Sequence, residues 1–342
     1  MRAIIRLNSL LAVAMTATAL AALPRICLSA DNAHTAVTRI ILLGTNGGPT
    51  VSLRRAEPAS LLVVDSVPYL IDAGSGVARQ IALAGFEPPR VRTIFITHHH
   101  IDHDAGLPSL MSVAWFDPAW DDHSLPPVQI YGPPATQFLA RAALDYLSVS
   151  ERIFRAGVPA LQPAAAMFQA HDIHRNGEFY HDARITVSAA ENSHYSFKSG
   201  TAATGQDLSF SYRFDTPNGS VVFTGDTGPS QAVTELARNA DVLVSEVCLC
   251  DAHAKDRSKT ISAGGTRTAA ALAKEEAFHM LHEHLTPDEV GRLAAAAHVK
   301  VVILTHFVPG DTADLTQFTA GVMKYFSGPV IPGKDLLEYD LH

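Results

Sequence analysis

Cysteine and tryptophan are scarce in this chain, three and two in 342 residues. A leader cleaved after Ala30 would carry Cys27 away and leave only Cys248 and Cys250. Two cysteines separated by one residue are poorly placed for a mutual disulfide. The chain is therefore expected to tolerate an oxidising compartment without depending on one. A basic cluster is missing as well: 26 Lys and Arg stand against 34 Asp and Glu, a net charge of −8 with histidines neutral. Such a chain is a poor grip for a polyanion, so no stable nucleic-acid partner is expected. No apolar run reaches the ~20 residues a membrane span needs. The nearest, Leu10 to Leu23, follows Arg2 and Arg6 and precedes the small residues Ser29 and Ala30. That pattern reads as a signal peptide over 1–30, with a mature domain over 31–342 that is periplasmic or secreted and free of the membrane. Pro24-Arg25-Ile26 lacks the small residues that precede a lipoprotein cysteine.

Apolar residues are plentiful, at 47% enough for a large core, and histidines number seventeen. The stretch around which the chain is organised is Thr97-His98-His99-His100-Ile101-Asp102-His103-Asp104. The run before it, Val91 to Ile96, is β-branched and aromatic and reads as a short buried strand. The histidines thus fall where a strand ends and the chain turns, a rigid place to hold ligands. His98 and His100 are two apart and can share a direction, while Asp102 and His103 can face a second point. Neutral imidazole and carboxylate are ligands for zinc and similar metals.

Strands are expected over 38–44, 58–65, 67–71, 128–131, 183–189, 208–214, 221–224, 241–247 and 301–304. Helices are expected over 77–84, 107–116, 134–147 and 286–297. Pro217-Asn218-Gly219 signals a hairpin, and Thr286 with Glu289 a capping box. The segment 148–176 has no clean period and several prolines, and reads as an insertion or lid. Trp115, Phe116 and Trp120 cluster near Asp117 and Asp121, either at a substrate mouth or in the core. His194, Asp226 and His306 each close an apolar strand, as the first histidines do.

These residues in this order resemble the metallo-β-lactamase superfamily. The resemblance implies a four-layer αββα sandwich within the α/β class, and two zinc ions per chain. On it, His98, His100 and His194 hold one metal, Asp102, His103 and His306 hold the other, and Asp226 bridges both. Asp72, at a strand end beneath the site, would orient a ligand histidine or cap a helix. Two zincs can share a hydroxide and clamp the attacking and leaving oxygens, a reaction that counts Asp102 among the catalytic residues. β-Lactamases that bind two zincs usually have cysteine where Asp226 stands, which argues against antibiotic hydrolysis.

His284-Leu285-Thr286 narrows the resemblance to the ribonuclease Z and arylsulfatase-like branch, which has a His-x-Thr motif there. The resemblance implies that His284 assists at the scissile group and that Glu246 holds it; His282 competes for the role. The expected activity is hydrolysis of a small-molecule ester, a phosphodiester or sulfate ester, with lactone or carboxylic ester hydrolysis as the alternative. A ribonuclease Z-type endonuclease is a further reading. It is opposed by the acidic charge, by the expected export and by the lack of a Gly/Pro-rich arm. A di-iron redox protein is opposed by His100, where such relatives usually have glutamate. A homodimer is compatible with these features.

Overall fold

A strand that is apolar on both faces needs cover on both, and most strands of this chain are of that kind. The computed structural model describes residues 37–341 apart from 122–124, 197–202, 204, 263–266 and 312–313. The segment 1–30, expected as a signal peptide, lies outside the described residues. The first half of the chain forms β1 (Thr38–Gly44), β2 (Ala59–Val64), β3 (Val67–Ile71), α1 (Val77–Leu83), β4 (Thr93–Phe95), α2 (Ile101–Asp104), α3 (Leu107–Asp121), β5 (Val128–Gly132), α4 (Thr136–Gly157) and β6 (Phe168–Asp172). The second half forms β7 (Gly177–His181), β8 (Thr186–Glu191), β9 (Phe210–Thr216), β10 (Gly219–Phe223), α5 (Gln231–Leu236), β11 (Val242–Cys248), α6 (Cys250–Ser262), α7 (Arg267–His282), α8 (Pro287–Ala297), β12 (Val301–Val308), α9 (Thr316–Met323), β13 (Val330–Pro332) and β14 (Leu337–Leu341).

Two seven-stranded sheets result, in the orders β14-β1-β2-β3-β4-β5-β6 and β13-β12-β11-β10-β9-β8-β7. In each, antiparallel pairs give way to a parallel run, β3 to β6 in one and β10 to β13 in the other. Side-chain alternation sorts three cores. Ile40, Leu42, Phe95, Tyr212, Val221 and Val244 meet between the sheets. Ile41, Leu43, Ile94 and Ile130 face the helices of the first half. Val222, Leu243 and Val302 face Val290, Leu293 and Phe318 of α8 and α9. This is the four-layer αββα arrangement. Among the described residues no helix is long and apolar enough to cross a membrane.

Two expectations are corrected, and one left open is decided. The segment 148–176 is no lid: it is the second half of α4, a short 3-10 turn and the edge strand β6, paired to β5. Prolines at its turns hid these elements from a periodicity reading. Cys248 and Cys250 do form a disulfide, because the chain reverses from β11 into α6 and brings their Cα atoms to 4.9 Å. Trp115 belongs to the core and donates its indole N–H to the Gln162 carbonyl at 2.9 Å; the side chain of Trp120 lies outside the described residues. The hairpin turn joins β9 to β10 as expected, and Thr286 and Glu289 make a full capping box on α8.

Candidate metal centre and active site

The carboxyl ends of the parallel strands in both sheets converge on one edge, the usual place for ligands in α/β sheets. Beyond β3, the Asp72 carboxylate accepts the Thr97 backbone N–H at 2.8 Å and its hydroxyl at 3.0 Å. That fixes the exit of β4, and the chain passes through His98 and His100 into the short turn α2, which carries Asp102 and His103. Beyond β10, Gly225 has φ of +57°, and an added Cβ would lie 2.9 Å from the Thr97 Cβ. Only glycine allows that approach, and it brings Asp226 against the histidines. Asp72 and His306 also have positive φ, 59° and 45°. Strained non-glycine residues of this kind persist where the surrounding structure holds them, and functional sites are common hosts.

The seven expected ligands form two adjoining groups. His98, His100 and His194 make the first, and Asp102, His103, Asp226 and His306 the second. In the first, His100 Nδ1 lies 3.0 Å from His194 Nε2. The His194 Nδ1–H is taken by the Glu283 backbone carbonyl at 2.8 Å, so its Nε2 points inward as a lone pair. In the second, His103 Nε2 lies 3.3 Å from Asp226 Oδ1, and His306 Nε2 lies 3.1 Å from Asp226 Oδ2 and 3.4 Å from Asp102 Oδ2. Asp226 Oδ2 is also 3.9 Å from both His98 Nε2 and His194 Nε2, so this carboxylate sits between the groups. His103 Nδ1 donates to Asp72 Oδ2 at 2.9 Å. Asp72 thus orients a histidine of the second group; the N-cap of α1 is Gly76.

Buried atoms with nothing to bond test whether these groups suit metal ions. His98 Nε2 is buried without a hydrogen-bond partner, and His103 Nε2 and Asp226 Oδ1 face each other at 3.3 Å with no well-formed bond and no other hydrogen-bond partner. Orphans of this kind are costly unless something satisfies them. Burial drives His98 and His194 well below the ordinary imidazole range and lowers His100, so the first group is a set of neutral nitrogen donors. In the second group burial opposes charge on His306, but Asp226 and Asp102 outweigh it and raise its pKa to about 10. Burial also works against the Asp102 carboxylate, yet His103 and His306 hold it down at about 2. Buried carboxylates at this density require positive charge among them. A nitrogen and oxygen donor set with no sulfur, neutral on one side and anionic on the other, fits two divalent ions of the zinc type.

Next to the second group, His284 Nδ1 donates to Glu246 Oε2 at 2.8 Å. Glu246 Oε1 accepts the Thr227 backbone N–H at 2.6 Å. Burial opposes charge on His284, but Glu246 and Asp226 outweigh it and raise its pKa. The His284 ring lines a cavity of about 540 Å³ together with Gly47, Gly48, His100, Asp102 and His279. His282 is excluded from the site. It is exposed, donates back to the Phe278 carbonyl and stacks on the Phe278 ring 4.3 Å away. Sequence reasoning passed over His279 and Glu283. Their spacing of four on a helix was the available signal, but nothing in the sequence turned α7 toward the metals.

A family model described as Beta-lactamase superfamily domain matches residues 68–307. A protein named Ribonuclease Z from Mycobacterium avium is 27% identical over 300 residues, covering 87% of this chain and 96% of its own. Three solved structures share the fold. The metallo-beta-lactamase fold protein YhfI from Bacillus subtilis has a TM-score of 0.62 at 17% identity, over 89% of this chain and 99% of its own. The short form of human tRNase Z has a TM-score of 0.57 at 20% identity, also over 89% and 99%. Zn(2+)-bound PqqB from Methylobacterium extorquens has a TM-score of 0.55 at 16% identity, over 89% of this chain and all of its own. Relatives named for action on RNA overturn the expectation of a small-molecule ester substrate and no nucleic-acid partner. That expectation weighed the charge of the whole chain. Net charge does not decide what a metal site meets, because a bound metal ion is often the largest local charge.

Proposed function

We propose, from the premise that this chain belongs to the beta-lactamase superfamily, that it is a zinc-dependent phosphodiesterase acting on RNA. A metal-dependent ester hydrolase is what its family and relatives establish. The buried His284–Glu246 pair, 2.8 Å apart and set beside a double ligand cluster, carries the hydrolytic chemistry of this reading, and the likeness to Ribonuclease Z carries its substrate. The first ion would be held by His98, His100 and His194, and the second by Asp102, His103 and His306, with Asp226 between them. When bound, two such ions supply Lewis-acid charge for the phosphoryl oxygens and activate water at neutral pH.

The chain's own residues do the rest. Thr97 and Asp72 fix the backbone and ring from which the ligands project. Glu246 accepts the Nδ1–H of His284 and with Asp226 favours the doubly protonated ring, whose Nε2–H then faces the cavity where a phosphoryl group would sit. A positively charged ring held there by a buried carboxylate stabilises negative charge as it grows on phosphoryl oxygen, and is placed to give a proton to the departing oxygen. The 27% identity to Ribonuclease Z across most of both chains favours RNA over sulfate, lactone or carboxylic esters. The test is cleavage of a short 3′-extended RNA by zinc-loaded protein, beside chromogenic sulfate ester and lactone. RNA cleavage that disappears in His284→Ala supports the reading. Turnover confined to the sulfate ester or lactone refutes it.

A further inference from the structure

One pair of titratable side chains at the cavity has no part in the function above, and it sits at the end of α7. His279 lies in the last turn of that helix and Glu283 just past its end. His279 Nδ1 donates to the Glu283 carboxylate. The same carboxylate accepts the Ser196 backbone N–H at 3.1 Å and the Ser196 hydroxyl. Burial works against charge on Glu283, but His279 and Ser196 outweigh it and hold the carboxyl below its ordinary range. Glu283 therefore acts at two places: its backbone carbonyl fixes the ligand His194, and its side chain fixes His279.

With Nδ1 committed, the free edge of His279 is Nε2, and it lies 3.4 Å from His284 Nε2. His284 is built the same way, its Nδ1 held by Glu246. Two imidazoles, each backed by a carboxylate, thus aim their free nitrogens at one point in the cavity. Bare lone pairs at that distance would repel, so the pair holds at least one N–H there. Among the described residues no lysine or arginine lines this cavity. A phosphate entering the cavity meets these two nitrogens among the polar side chains that line it, and each donates to it when its ring carries both protons.

We propose that His279, positioned by Glu283, is a second substrate-contacting residue that binds a non-bridging oxygen of the phosphate His284 attends. This rests on the phosphodiester reading above. His284 stabilises charge that develops in the reaction, whereas His279 holds charge already present on the substrate. The two therefore separate in kinetics: a contact equal in ground and transition states changes KM and leaves kcat in place.

The experiment compares wild type, His279→Ala, His279→Gln and Glu283→Gln, all zinc-loaded. It measures steady-state kinetics on bis(p-nitrophenyl) phosphate, inorganic phosphate binding by calorimetry, and metal content. His279→Ala should raise KM and weaken phosphate binding roughly ten- to a hundredfold, the range for one hydrogen bond to a charged group, with kcat and metal content near wild type. His279→Gln, which keeps a donor, should recover part of the loss, and Glu283→Gln should show a smaller one. Unchanged KM and phosphate affinity in His279→Ala would overturn the contact, and so would loss of metal from that variant. If wild type cleaves no phosphodiester while His279→Ala still weakens phosphate binding, the phosphodiesterase reading fails and the contact stands. If cleavage proceeds and His279→Ala changes nothing, the contact fails and the reading stands.

Discussion

On the proposed function, His284 and Glu246 serve chemistry and not metal binding, which can be tested at the scale of single residues. Removing a donor used only as charge develops should lower kcat and kcat/KM together. His284→Ala is expected to lose on the order of 10²–10³ in kcat, the range for one such donor. Glu246→Gln should lose less, because the imidazole stays in place. Metal content measured on the same samples should match wild type, and a kcat unchanged in His284→Ala would assign the motif a structural role. A second prediction concerns Asp72, whose carboxylate sets the His103 tautomer. Asp72→Asn should weaken metal retention, roughly 10–100-fold in affinity, as read by competition with a chromogenic chelator; full retention would leave Asp72 with only a backbone role. The seven residues of the two groups were legible in the sequence because metal chemistry restricts both residue type and spacing. The choice between His282 and His284 was not, since it depends on which way the end of α7 faces. His282 turns out to stack on Phe278, and His284 turns in to Glu246.

Elements were legible where one period dominated. β1, β2 and β3 are apolar runs between turn residues, and the capping box marked the start of α8. The segment 148–176 failed because helix, turn and edge strand follow each other too quickly for any period to show. α6 and α7 were not anticipated either, and α7 is the element that walls the cavity with His279. The two sheets are joined by contacts that no local pattern announces. Tyr69 of β3 donates to Asp182 beyond β7 at 2.6 Å, and Tyr180 donates to it at 3.0 Å. Burial works against charge on Asp182, but Tyr69 and the backbone N–H groups of Arg184 and Ile185 outweigh it and lower its pKa. A folded pKa below the unfolded value of about 3.9 means stability that is full above pH 4 and lost as pH falls through the folded value. Asp182→Asn should therefore lower Tm at pH 7 by a few degrees, and the gap should close as pH falls below 4. A gap that stays constant with pH would show that the charge of Asp182 is not what joins the sheets.

For the molecule as a whole, metal and fold should be linked. Zinc bound to the folded site alone would stabilise by about 2.7 kcal/mol at a hundredfold excess over Kd. Chelation should lower Tm and zinc should restore it in a dose-dependent way, and a Tm indifferent to both would argue against buried metal sites. Export is a separate proposal resting on Arg2, Arg6 and the apolar run that follows. Mass spectrometry of the mature protein should find an N-terminus near Asp31, and intact Met1 in soluble cytoplasmic protein would exclude it. The central claim is that the two ligand groups and the His284–Glu246 pair together cleave an RNA phosphodiester. Its most direct test is single-turnover cleavage of a 3′-extended RNA by zinc-loaded protein, run side by side with His284→Ala of equal metal content. The account predicts cleavage by the wild type and a rate on the order of 10²–10³ lower in the variant; equal rates in the two proteins, or no cleavage by fully metallated wild type, would contradict it.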